Sequence, residues 1–126
     1  ERRGLPRAEA TRSADLVATA LLKSLSDERG RWLLGPHREA RNEYRLRAFA
    51  QGQRRTYIID RLFLTQDNVE WVVDYKTSRH EGADVEAFLD RERERYTPQL
   101  KMYASLRKGS RQGLYFPILR GWRDVA

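Results

Sequence analysis

From Ala14 to Leu25 the apolar residues Leu16, Val17, Ala20, Leu21, Leu22 and Leu25 recur at the spacing of an amphipathic helix. Ser13 and Asp15 supply N-terminal signals, and Gly30 is expected beyond the helix end. Residues 1–12, polar and arginine-rich around Gly4 and Pro6, read as a ragged terminus. Residues 31–34 form a short apolar piece closed by the Gly35-Pro36 turn. The pattern then changes to three extended runs, at about 40–50, 56–64 and 69–77. Tyr57, Ile58, Ile59, Leu62, Phe63, Val69, Trp71, Val72 and Val73 give them the β-branched and aromatic weight of strands. Residues 65–68 between the last two runs predict a hairpin loop. After a polar stretch over 77–83, helical spacing returns at Val85, Phe88 and Leu89, and again at Leu100, Met102, Tyr103 and Leu106. Pro98 is expected to break or restart that helix, because it has no amide hydrogen and crowds the preceding turn. Gly109 and Gly113 bracket a turn. Residues 113–119 predict a last strand, with Pro117 marking an edge or a bulge. Helix, three strands, helix and strand in that order indicate one α/β domain with a mixed central sheet flanked by helices.

Composition narrows the chemistry. A chain of 126 residues has room for a single core that needs no staple, and 40% apolar residues are enough to fold one. There is no cysteine, which excludes disulfides, thiolate metal sites and a cysteine nucleophile, and fits a cytoplasmic setting. No run is long and apolar enough to span a bilayer and no signal-peptide pattern appears, so no membrane partner is expected. The formal charge is +7, and only Lys23, Lys76, Lys101 and Lys108 are lysines among 25 basic residues. Arginine binds phosphate bidentately, so this balance suits a polyanion, although a GC-rich coding sequence gives the same bias. Glu1 in place of Met points to a piece of a longer protein.

Acidic residues fall at matched depths in the hairpin. Asp60 ends the apolar run Ile58-Ile59, and Asp74 ends Val72-Val73. If Gln66, Asp67 and Asn68 form a three-residue loop with Asn68 left-handed, Thr65 pairs with Val69 and Asp60 falls opposite Asp74. A four-residue loop would leave the two acids diagonal. Opposed residues share a face with Cβ atoms about 5 Å apart, and two carboxylates that close need a proton or a cation between them. Lys76, two residues past Asp74, points to the same face. Glu43, at the start of the preceding strand run, is a third candidate carboxylate. Such a set suits a hard divalent cation, with the ammonium steadying developing charge. An Asp-x-Lys at a strand end is also a common solvated ion pair.

Four ordered segments carry a resemblance: Glu43; Ile59-Asp60-Arg61-Leu62-Phe63; Trp71-Val72-Val73-Asp74-Tyr75-Lys76-Thr77-Ser78; and Tyr96-Thr97-Pro98-Gln99-Leu100-Lys101-Met102-Tyr103-Ala104. Together with the closing Gly113-Leu114-Tyr115-Phe116-Pro117, they resemble the RecB-like nuclease domain of the PD-(D/E)xK superfamily. That domain closes bacterial helicase–nucleases of the RecB/AddA type and related UvrD/Rep-like helicases. The resemblance covers residues 14–122 and implies a PD-(D/E)xK core, with residues 1–126 one domain of a larger helicase–nuclease. It implies metal-dependent hydrolysis of DNA with Mg2+ or Mn2+, in the bacterial cytoplasm, with helicase domains of the same polypeptide and a partner subunit as contacts. Asp60 and Asp74 match the metal-binding acids, the backbone carbonyl of Tyr75 a further ligand, and Lys76 the catalytic lysine. Glu43 matches a carboxylate at or beside the site. Gln99 and Tyr103 match the Gln-x-x-x-Tyr motif, on one helix face at i and i+4; otherwise they belong to a helix that packs by Leu100, Tyr103 and Leu106. The family's metal-ligating histidine from an N-terminal helix has no counterpart, because no histidine precedes His37. His37 reads as a turn residue and His80 as solvated in a polar loop. The rival expectation is a catalytically inactive domain of the same fold that binds DNA or braces the helicase.

Overall fold

A computed structural model describes residues 7–50, 52–80 and 82–125. Two helices, α1 (Arg7–Leu25) and α2 (Glu28–Leu34), precede three strands, β1 (Arg38–Ala50), β2 (Gln53–Leu64) and β3 (Glu70–Tyr75). A long helix α3 (Val85–Leu106) then leads to β4 (Arg111–Phe116) and β5 (Gly121–Val125). The five strands lie in the order β1-β2-β3-β4-β5. β3 and β4 run parallel, which requires the crossover that α3 provides, and the other pairs are antiparallel.

The β2–β3 turn sets the geometry of the sheet centre. Asn68 has φ 65°, the left-handed conformation that asparagine tolerates, and the Thr65 amide donates to the Val69 carbonyl at 2.9 Å. The loop is therefore the three-residue one. Its register continues through Leu64 with Glu70, Phe63 with Trp71, Leu62 with Val72 and Arg61 with Val73. The next position on each strand is Asp60 and Asp74.

Each sheet face has its own apolar cluster. Leu89, Leu100 and Tyr103 of α3 pack on Ile59, Leu62, Val72, Leu114 and Phe116. On the other face Leu33 of α2 joins Phe63, Trp71, Val73 and Tyr115, with Trp32 and Trp122 at the border. Gly30 lies beyond the end of α1, inside α2. A Cβ there would meet the Ser24 carbonyl at 2.2 Å and the Tyr115 hydroxyl at 2.6 Å, so α2 approaches the sheet this closely only with glycine. The apolar side of α1 stays largely open, with Val17 and Leu22 more than two-thirds exposed.

The elements differ from the sequence pattern in several places. Of the expected ragged terminus, residues 1–6 lie outside the described residues, and Arg7 onward is helical. Pro98 does not interrupt α3. The Thr97 hydroxyl donates to the Arg93 carbonyl at 2.6 Å beside it, and the Leu100 and Tyr103 contacts hold both halves on one sheet face. β4 ends at Phe116, and Pro117 falls in the turn to β5, a strand with no signal strong enough to predict it. β4 is consequently an interior strand and not an edge.

Candidate active site at the ends of the central strands

Asp60 and Asp74 meet where the pairing of β2 with β3 ends, one position past the Arg61–Val73 pair. Their carboxyl groups are within hydrogen-bonding reach of each other, and Asp60 Oδ2 also accepts from the Tyr75 amide at 2.8 Å. Asp74 is buried, with only 5% of its surface exposed. Lys76 follows on the same face and places Nζ 2.8 Å from Asp74 Oδ2. The hairpin register thus brings together the acid pair and the ammonium, as the three-residue loop requires.

Desolvation and the shared proton with Asp74 outweigh the Tyr75 amide and the Lys76 charge, and Asp60 is pushed up to about 7. The physical content is that two touching carboxylates do not both ionise readily unless a cation joins them. The donor set fits a hard divalent ion: carboxylate oxygens on adjacent strands, already desolvated, with one proton that a cation would displace. Asp60 and Asp74 are the side chains that would hold it.

This yields a testable pH dependence. Between about 4 and 7 the folded protein keeps a proton on Asp60 that the unfolded chain has released. Without divalent metal, stability is therefore expected to fall as pH rises through that window and then level off. Added Mg2+ or Mn2+ should raise the melting temperature more at pH 8 than at pH 5, because the cation needs the deprotonated pair. Thermal unfolding at both pH values, with chelator or with millimolar metal, checks this. A metal shift that is absent at pH 8, or equal at the two values, would exclude the pair as a cation site.

The helix α3 forms the wall of the site. Gln99 donates to the Tyr103 hydroxyl at 3.3 Å, and that hydroxyl donates to the Ile58 carbonyl at 3.4 Å. Burial, and then the charges of Asp74 and Asp60, push the Tyr103 phenol up to about 12. Tyr103 is therefore both a core residue and a neutral donor beside the acids. Gln99 itself is exposed.

Two further residues carry no strong signal in the sequence. The Tyr96 ring lies under Lys76, with Nζ 3.9 Å from its centroid, a cation–π contact that helps fix the ammonium. Glu92 is 8% exposed and accepts from the Ser78 hydroxyl at 3.1 Å. It sits in the run Arg91-Glu92-Arg93-Glu94-Arg95, which looks uniformly solvated. Its one signal is the spacing Leu89, Glu92, Tyr96, Leu100, Tyr103, which is one helix face.

Glu43 stands between the Asn42–Arg61 and Tyr44–Ile59 pairs, next to Asp60 in register, but is exposed. Its φ of 50° puts a left-handed residue inside β1, a local bend of the kind that re-aims a side chain. Among the described residues no third acid or histidine completes a metal-ligating cluster. Tyr75 supplies its amide to Asp60, while its side chain packs with the opposite cluster, its hydroxyl buried without a hydrogen-bond partner among the described residues. His37 stacks on Phe63 at 4.2 Å and His80 on Phe88 at 4.6 Å, so both rings pack on aromatics instead of standing in solvent. Arg61 is 7% exposed and serves the fold: it donates to the Leu33 and Gly35 carbonyls and to Asn42. No helix among the described residues is long and apolar enough to cross a membrane. No protein-family model matches this chain, and no curated protein matches it significantly.

Proposed function

We propose that the protein is a metal-dependent DNA nuclease module built on a PD-(D/E)xK core. The observation that carries the reading is the triad itself: two carboxyls in contact on adjacent strands, with the Lys76 ammonium 2.8 Å from one of them. Its placement supports the reading as well. The sheet is mixed and flanked by helices, as the resemblance implies, and the triad sits at the carboxyl end of β3 in the parallel β3–β4 pair. A net charge of +7 suits a polyanionic substrate.

Held by Asp60 and Asp74, with the Tyr75 carbonyl as a further ligand, Mg2+ or Mn2+ would supply Lewis acidity and a more acidic bound water. The chain's own groups divide the rest of the work. Asp60, which shares a proton with Asp74, would hold the cation in its ionised form. Lys76, steadied by Asp74 and the Tyr96 ring, presents positive charge to the phosphate oxygens as negative charge develops on them. Tyr103, kept neutral, and Gln99 offer hydrogen-bond donors on the α3 side. Attachment to helicase domains, in a bacterial cytoplasmic repair or recombination machine, belongs to the same proposal.

A noncatalytic module of this fold is the second reading. It is favoured by the two-carboxylate set, which gains no third acid or histidine among the described residues. The deciding experiment incubates the protein with single- and double-stranded DNA in Mg2+ and in Mn2+. Metal-dependent fragments that chelator suppresses support the nuclease. Binding without any cutting in either metal leaves the noncatalytic module.

A further inference from the structure

The β1–β2 hairpin extends well past the sheet it belongs to. β3 pairs with β2 only between Arg61 and Leu64, whereas β1 follows β2 all the way to the Ala50–Gln53 pair. Between the Tyr44–Ile59 and Ala50–Gln53 pairs the hairpin is therefore a two-stranded ribbon with no third strand beside it among the described residues. At about 3.3 Å per residue it is about 20 Å long.

The two faces of the ribbon differ in character. Tyr44, Leu46 and Tyr57 pack against the α3 cluster. Arg45 with Ile58, Arg47 with Thr56, and Phe49 with Arg54 are cross-strand pairs, and all six residues are exposed. Phe49 is 72% and Ile58 47% exposed. No aspartate or glutamate occurs between Glu43 and Asp60, a stretch that holds Arg45, Arg47, Arg54 and Arg55. Among the described residues none of these four arginines pairs with a carboxylate; the Arg54 guanidinium instead lies 5.8 Å over the Phe49 ring.

We infer that the outer face of this ribbon is a docking surface for double-stranded DNA. Three features select that partner. A two-stranded ribbon fits the major groove of a duplex. The cationic groups are all guanidiniums, which bind phosphate bidentately, spread along the ribbon with no acid to oppose them. The ribbon is also continuous with the candidate active site, because β2 carries both Arg54 and Asp60, six positions apart. That separation is about 20 Å, the rise of about six base pairs, so phosphates would be gripped about half a turn from Asp60. This adds the duplex and its register to the proposed nuclease, and it rests on that reading only for the meaning of the spacing, not for the binding.

The test measures fluorescence anisotropy of a 20-base-pair duplex and of one of its strands alone, in chelator, from 50 to 200 mM salt. The wild type is compared with Arg45→Ala/Arg47→Ala and with Lys101→Ala/Lys108→Ala, which removes equal charge from exposed lysines elsewhere. The ribbon variant should lose duplex affinity, and its log–log salt slope should fall by about 2, near 0.9 for each phosphate left without its arginine. The lysine variant should keep the wild-type slope, and single-strand binding should change less than duplex binding. Arg45→Gln/Arg47→Gln, with melting checked beside the wild type, gives the same readout if the alanine pair fails to fold. An unchanged duplex slope overturns the inference, as does an equal loss in the lysine variant or on the single strand. Binding to vesicles of phosphatidylcholine with phosphatidylserine that depends on Arg45 and Arg47, without such dependence for the duplex, also overturns it. If the wild type never cuts in Mg2+ or Mn2+ but the duplex slope falls as stated, the ribbon stands and the nuclease reading alone fails. If the wild type cuts and the ribbon variant binds and cuts duplex like it, the ribbon inference alone fails.

Discussion

Lys76→Ala is expected to abolish measurable DNA cleavage while divalent-metal affinity holds or tightens slightly. In the proposed reaction Lys76 would face the developing charge. Losing such an electrostatic group costs on the order of 3 kcal/mol, a hundredfold or more in rate. It also holds Asp74 Oδ2 at 2.8 Å, where it competes with a cation for that oxygen. Removing the ammonium frees the oxygen. Asp74→Ala should lose cleavage for the opposite reason, since it takes one of two carboxylates from the metal and leaves Asp60 alone. Calorimetric titration with Mn2+ beside a cleavage assay separates the two: metal heat retained in the lysine variant, lost in the aspartate variant. Equal loss of metal binding in both would mean that Lys76 merely organises the pair. Undiminished cleavage in either would remove the triad from the mechanism.

The second large effect concerns stability. Arg61→Ala is expected to lower the unfolding free energy by about 3 kcal/mol, with the dependence on urea concentration unchanged. The guanidinium donates 2.8 Å to the Leu33 carbonyl, 3.0 Å to the Gly35 carbonyl and 2.9 Å to Asn42 Oδ1. Leu33 and Gly35 close α2, so the arginine also meets the negative end of that helix. Truncation leaves carbonyls without donors under a packed layer and opens space beside Phe63. Urea unfolding of wild type and variant gives the difference. A loss under about 1 kcal/mol would mean that water replaces the arginine at no great cost. DNA affinity per folded molecule should not change, which separates this residue from the exposed ribbon arginines.

The hairpin shows what a sequence determines when the relevant forces are local. Thr65, the two residues after it, Asn68 and Val69 interact over four positions, through two amide–carbonyl bonds and one left-handed residue. Loop length sets the register, and strict alternation carries it to Asp60, Asp74 and Lys76 with no help from the rest of the chain. The order of α1, the first three strands, α3 and β4, with their apolar faces, was legible for the same reason, because periods of two and about 3.6 are properties of each segment alone.

What depended on distant partners was not legible. Glu92 looks solvated among Arg91, Arg93 and Arg95 until α3 is laid on the sheet and Ser78 reaches it. Tyr96 is one aromatic among several until Lys76 lies over its ring. Arg61 reads as a surface cation until the end of α2 arrives, 28 residues away in sequence. Pro98 reads as a stop until contacts on both sides of it hold α3 straight through. β5 reads as the end of a loop until β4 offers it an edge. In each of these, intrinsic preferences of the segment are worth about 1 kcal/mol, or about 3 kcal/mol for Pro98, and tertiary contacts of the same size or larger decide the outcome.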